Sequence, residues 1–154
     1  ELIAPDPDSD APAENRPAIF STLGSPQMIG WFAKCDNLDA AQQATESAGV
    51  QLGSIQPGAR TLPDGRSLRW QLTDPMVMVY DGIFPMLIDW GDSPHPAASA
   101  PVGCRLLELH LEHPKAEAVT TLLAAIGISL EVQTGSVPCI SAVIDTPVGT
   151  LQLP

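Results

Sequence analysis

The sequence predicts an α+β domain in which βαβββ modules build a curved mixed sheet. Three observations predict it. Two successive stretches, about 28–91 and 104–153, spell the same order of strand, helix, strand, strand, strand. Each predicted helix ends in a glycine followed at once by a β-branched residue, Ala48-Gly49-Val50 in one and Ile126-Gly127-Ile128 in the other. The proline-rich, small-residue segments 5–17 and 91–103 set these stretches apart from what precedes each.

Taken in order, Glu1-Leu2-Ile3-Ala4 reads as the end of a strand, and the prolines and acids of 5–17 exclude both a helix interior and a central strand. Met28 to Cys35 is apolar enough for a buried strand. Asp36-Asn37 offers capping oxygens to a helix from Leu38 that stops at Gly49. A short strand is expected at Val50 to Leu52, followed by an irregular segment and a turn at Pro63-Asp64-Gly65. Arg66 to Thr73 alternates as a strand, with Leu68, Trp70 and Leu72 on one face; 74–83 reads as a loop and Phe84 to Trp90 as a strand. The second unit places a strand at Cys104 to Glu112 and a helix opened by His113-Pro114 that carries Val119, Leu122, Leu123 and Ile126. Strands at Ile128 to Gln133, Pro138 to Asp145 and Val148 to Leu153 complete it.

The 154 residues suffice for a domain with a real core. Seven Lys plus Arg against 18 Asp plus Glu give a formal net charge of −11, so repulsion replaces the counterion release that drives nucleic-acid or anionic-membrane binding. No nucleic acid and no membrane is therefore expected as a partner. With 44% hydrophobic and 16% charged residues, the acidity belongs to a globular chain and not to an acidic tail. Cys35, Cys104 and Cys139 are odd in number and widely spaced, which implies neither a disulfide framework nor a zinc ribbon and fits a reducing cytoplasm. No nucleophile elbow, Walker loop, dinucleotide fingerprint or H-E-x-x-H helix is found.

Alternation in Cys104 to Glu112 puts Leu107, Leu109 and Leu111 on one face and Glu108, His110 and Glu112 on the other. A carboxylate and an imidazole two residues apart can bind a divalent metal or shuttle a proton, so Glu108 and His110 are the catalytic candidates; the same alternation also suits a half-solvated sheet. Asp89, Trp90 and His95 combine acid, aromatic and imidazole near one another, as a pocket rim does and as a core-capping turn does. Three of the five arginines, Arg60, Arg66 and Arg69, fall within ten residues; Arg60 and Arg69 are candidates for an anion clamp, against internal pairing with Asp64, Asp74 or Asp89. Trp31 and Trp70, with Phe84 and Met86, line either an apolar ligand cavity or the core.

Four stretches are similar to the vicinal oxygen chelate (glyoxalase/bleomycin resistance/dioxygenase) superfamily, and within it to glyoxalase-like domain proteins. They are Arg60 to Arg66 with Leu68-Arg69-Trp70, Phe84 to Pro96 (FPMLIDWGDSPHP), Glu1 to Pro5, and Asp145 to Thr150. The resemblance implies a cup formed by paired modules with helices packed outside, and metal ligands on the first and last strands of each module. It divides the chain into the end of an earlier module plus linker (1–27), a module at 28–91, a linker at 92–103 and a module at 104–154. The usual first-strand His falls on Gly30 and the usual last-strand Glu near Ile88, neither of which can ligate. In the later unit the positions fall on Glu108 and near Gln152, while Glu1 fits the last-strand Glu of the earlier module.

The metal candidates are therefore Glu1, Glu108, His110 and Gln152, for one divalent ion (Mn, Ni, Zn or Fe). A site without metal stands equally beside it. Two functions follow: a lyase, isomerase or dioxygenase-like enzyme that stabilises an enediolate-like charge on a small oxygenated metabolite, or a metal-free protein that sequesters a small ligand. A homodimer would cover the exposed sheet edges.

Overall fold

The computed structural model describes residues 27–62 and 64–154. The expected loop at 5–17, the strand end at Glu1 and Pro63 of the predicted turn lie outside these residues. The chain is α+β; the described residues form two α-helices and two mixed four-stranded sheets. Among the described residues, no helix is long and apolar enough to cross a membrane.

The first unit runs β1 (Phe32–Lys34), α1 (Leu38–Ser47), β2 (Gln56–Thr61), β3 (Ser67–Leu72) and β4 (Met86–Asp89). The second runs β5 (Arg105–His113), α2 (Ala116–Ala125), β6 (Gln133–Thr134), β7 (Cys139–Thr146) and β8 (Gly149–Leu153). Asn37 caps α1: the N–H of Ala40 donates to its Oδ1 at 2.9 Å. Asn37→Ala leaves that donor without its side-chain acceptor, so a loss of about 1 kcal/mol is expected in urea unfolding, with Asn37→Gly costing only a few tenths. Equal losses in the two variants would show that the cap contributes nothing.

Both helices end the same way. In α1 the N–H groups of Gly49 and Val50 donate to the carbonyls of Glu46 and Thr45; in α2 those of Gly127 and Ile128 donate to Ala124 and Leu123. These are Schellman caps, and Gly49 and Gly127 have the φ of +78° and +79° that such caps require. The repeated Gly-Val and Gly-Ile steps thus record helix termination. The strands expected at Val50–Leu52 and Ile128–Gln133 are displaced: the regular strands begin at Gln56 and Gln133. Leu52 and Val132, which made those segments read as strands, are instead core anchors on irregular backbone.

The element order repeats but the strand order does not. The first sheet is ordered β1-β4-β3-β2, with β1 and β4 parallel and the other pairs antiparallel. The second is β6-β5-β7-β8, so its helix crossover returns directly beside β5, and only β5 and β6 are parallel. Leu107 falls in a bulge where the β5–β7 register shifts, and Leu106 takes the place opposite Ile144 expected of a leucine on the helix side. The edge strand β2 carries Pro57, which has no N–H to offer a further strand.

One core joins the units. Leu38, Ala41, Leu52, Ile83, Phe84 and Leu87 of the first cluster with Leu111, Val119, Leu122, Leu123, Val132 and Ile140 of the second. The helices pack against each other within that core, and each sheet turns its other face outward. Within the expected loop 74–83, a tight turn at Val79–Gly82 holds Tyr80 and Asp81 in left-handed conformations (φ 49° and 57°). Such backbone costs a non-glycine residue about 1–2 kcal/mol.

Candidate functional site

The outward face of the second sheet carries the sequence-predicted catalytic pair. β-Pairing aligns Glu108 with Val143 and Val143 with Gln152, so Glu108 and Gln152 share a face two strands apart, about 10 Å by strand spacing. His110 is opposite Ser141 and Glu112 opposite Cys139 on that same face. The Nε2 of His110 lies 2.8 Å from Oε1 of Glu112, with the two side chains 38% and 35% exposed. An acceptor-only carboxylate so close favours the proton on Nε2, which leaves Nδ1 as a lone-pair acceptor. The pair can take a proton at Nδ1 and stabilise the resulting imidazolium.

Glu112 was legible as a member of this face by alternation, but nothing in the sequence marks it as the imidazole's partner.

The outward face of the first sheet carries a second group. Trp70 and Trp90 meet at 5.3 Å between ring centroids with their planes tilted by 52°, and His95 meets Trp90 edge-on at 5.5 Å. Gly58, opposite Trp70 in β2, leaves room for the indole: a Cβ there would run into the ring. The loop is pinned by Ser93, whose Oγ accepts the N–H of Arg69 at 2.8 Å, and by His95, whose Nδ1 accepts the N–H of Ala97. The buried Nε1–H of Trp90 finds no acceptor among the described residues. Arg60 lies on this face by its pairing with Leu68.

The remaining candidates stand apart. Alternation places Arg69 on the opposite face of the hairpin from Arg60, so the two do not converge on one anion. Arg66 pairs with Asp64 at 2.8 Å; its backbone N–H, and then its guanidinium, hold the Asp64 carboxyl below the usual range. Asp89 shares the helix side of the first sheet with Gln71, beside Asp36 and Asp39 at the start of α1, and accepts the N–H of Gly91. Lys34 bonds Asp36 at 2.7 Å, a contact that raises the ammonium pKa above its ordinary value. Trp31 packs against the core and donates its indole N–H to the Ile83 carbonyl. Glu1 lies outside the described residues.

A contact without sequence signal joins the units: Nε2 of His113 stands 3.3 Å from Oδ2 of Asp81, 32 residues away. The other ring nitrogen, Nδ1, accepts the N–H of Lys115 at the start of α2.

The described donors do not by themselves fit a metal ion. Glu108 and Gln152 are separated by a strand, His110 is engaged by Glu112, and no group of three His, Cys, Asp or Glu converges among the described residues.

A family model described as a glyoxalase-like domain matches residues 1–127. No curated protein and no solved structure matches the chain.

Proposed function

Because the chain belongs to the glyoxalase-like domain family, we propose that it binds and transforms a small oxygenated metabolite on the outward face of the second sheet. The observation that supports this reading is the His110–Glu112 pair at 2.8 Å on an open strand face. His110 Nδ1 removes a proton from carbon next to a carbonyl, and Glu112 stabilises the imidazolium through Nε2. Glu108 accepts a hydrogen bond from a neighbouring hydroxyl, and the Gln152 amide donates to an oxygen at the far end of the metabolite.

Hydrogen–deuterium exchange tests this directly. Dihydroxyacetone, hydroxyacetone and pyruvate, incubated with the protein and a chelator in heavy water, are expected to exchange protons next to the carbonyl faster than in buffer. His110→Ala should slow that exchange about 10²–10⁴-fold, the usual contribution of a positioned acid–base group. Undiminished exchange in a folded His110→Ala protein would remove the role. A second reading, sequestration without chemistry, is favoured by the Trp90 N–H, which has no acceptor among the described residues and lies among aromatic rings. Absence of exchange with all three probes would leave that reading standing alone.

A further inference from the structure

Tyr80, Asp81 and Gly82 form an unbroken left-handed run, with φ of 49°, 57° and 86°. Aspartate tolerates this region better than most residues, whereas tyrosine is an outlier there, and such conformations persist only where the surroundings enforce them. Here the enforcing partner is His113, 5% exposed on β5. The Tyr80 ring meets the imidazole edge-on at 5.3 Å, and Asp81 Oδ2 lies 3.3 Å from Nε2. Since Nδ1 already accepts the Lys115 N–H, Nε2 carries the proton and donates to Asp81. One carboxylate oxygen is thus anchored, yet the side chain remains 69% exposed.

That carboxylate lines a groove between the units with a volume of about 380 Å³, within the range of small-molecule sites. Apart from Gln27 and Cys139 its walls are apolar, among them Met28, Met78, Ile83 and Ile140, and Asp81 is the one charged residue lining it among those described. We propose that this groove binds a small organic cation, a protonated amine on an apolar body, with Asp81 as counter-ion and His113 as the residue that positions it. With a single carboxylate among largely apolar side chains the groove offers a metal few anionic oxygens, and an anion would be repelled. A chain of formal charge −11 draws cations toward its surface. His113 points to the face of β5 opposite His110, so the site is separate from the one proposed above.

Spectra of protein labelled at the Met and Ile methyl groups, titrated with benzylammonium and with the near-isosteric benzyl alcohol, test the assignment. Saturable shifts are expected at Met28, Met78 and Ile140, with the ammonium binding at least about tenfold more tightly, equivalent to ~1.4 kcal/mol. Asp81→Asn keeps a side chain suited to left-handed backbone and an oxygen for His113 while removing the charge, and is expected to bring the two probes to within about twofold. In the unsubstituted protein, about 0.5 M salt should shrink the preference, which keeps the test independent of how the variant folds. Equal affinities, shifts confined to methyls outside the groove, a salt-insensitive preference, or one retained in folded Asp81→Asn would each overturn the proposal.

Discussion

Replacing Leu123 with alanine is expected to lower the unfolding free energy by about 2–5 kcal/mol, the range for a fully buried leucine whose cavity refills poorly. Leu123 is 0% exposed in α2, inside a core built from both units. All three tryptophans, Trp31, Trp70 and Trp90, belong to the first unit, while the substitution is in the second. If the shared core makes the described chain one cooperative body, tryptophan fluorescence and far-ultraviolet circular dichroism must move together to a lower urea midpoint. A fluorescence transition that stays in place while the dichroism shifts would show that the two units unfold separately.

Gly82→Ala should cost more than about 2 kcal/mol, because two penalties meet at one residue. Its φ of 86° is unfavourable for any side chain, by roughly 1–2 kcal/mol. In addition, a Cβ would stand 2.6 Å from the carbonyl oxygen of Ile29, which is backbone and cannot rotate away, and 2.8 Å from the Met78 methyl. Gly49→Ala and Gly127→Ala are the controls: φ is similar, but nothing lies within 4 Å of the added atom. Thermal melts of the three variants should therefore separate Gly82→Ala from the other two, and equal losses would refute the clash.

The parts of the fold legible in the sequence are those that depend on neighbouring residues. Asn37 ahead of an apolar helical period, Gly49 and Gly127 after it, and the alternation of β5 around His110 all act within a few positions, and each element they predict is present. Strand order depends on where a crossover lands, and the similar wording of the two units conceals β6 pairing with β5 where β1 pairs with β4. The same distinction holds at the candidate sites. Glu108, His110 and Gln152 share a face because strand periodicity is local, and register then aligns the strands. The Asp81-Gly82 step can signal a left-handed turn, but nothing in the sequence says that it brings Asp81 to His113, 32 residues away, because that contact depends on tertiary packing.

Proline in β2 bears on how copies of this chain meet at high concentration. Sheets recruit further chains by hydrogen bonding along a rim, and a rim serves as a template only if it is long and complete. Here β1 has three residues, β6 two, and β2 lacks a donor at Pro57, leaving the five residues of β8 as the longest uninterrupted rim among the described residues. Among the described rims, strand addition is therefore favoured at β8, and a charged side chain introduced along β8 is the direct route to a preparation that resists fibrillar growth.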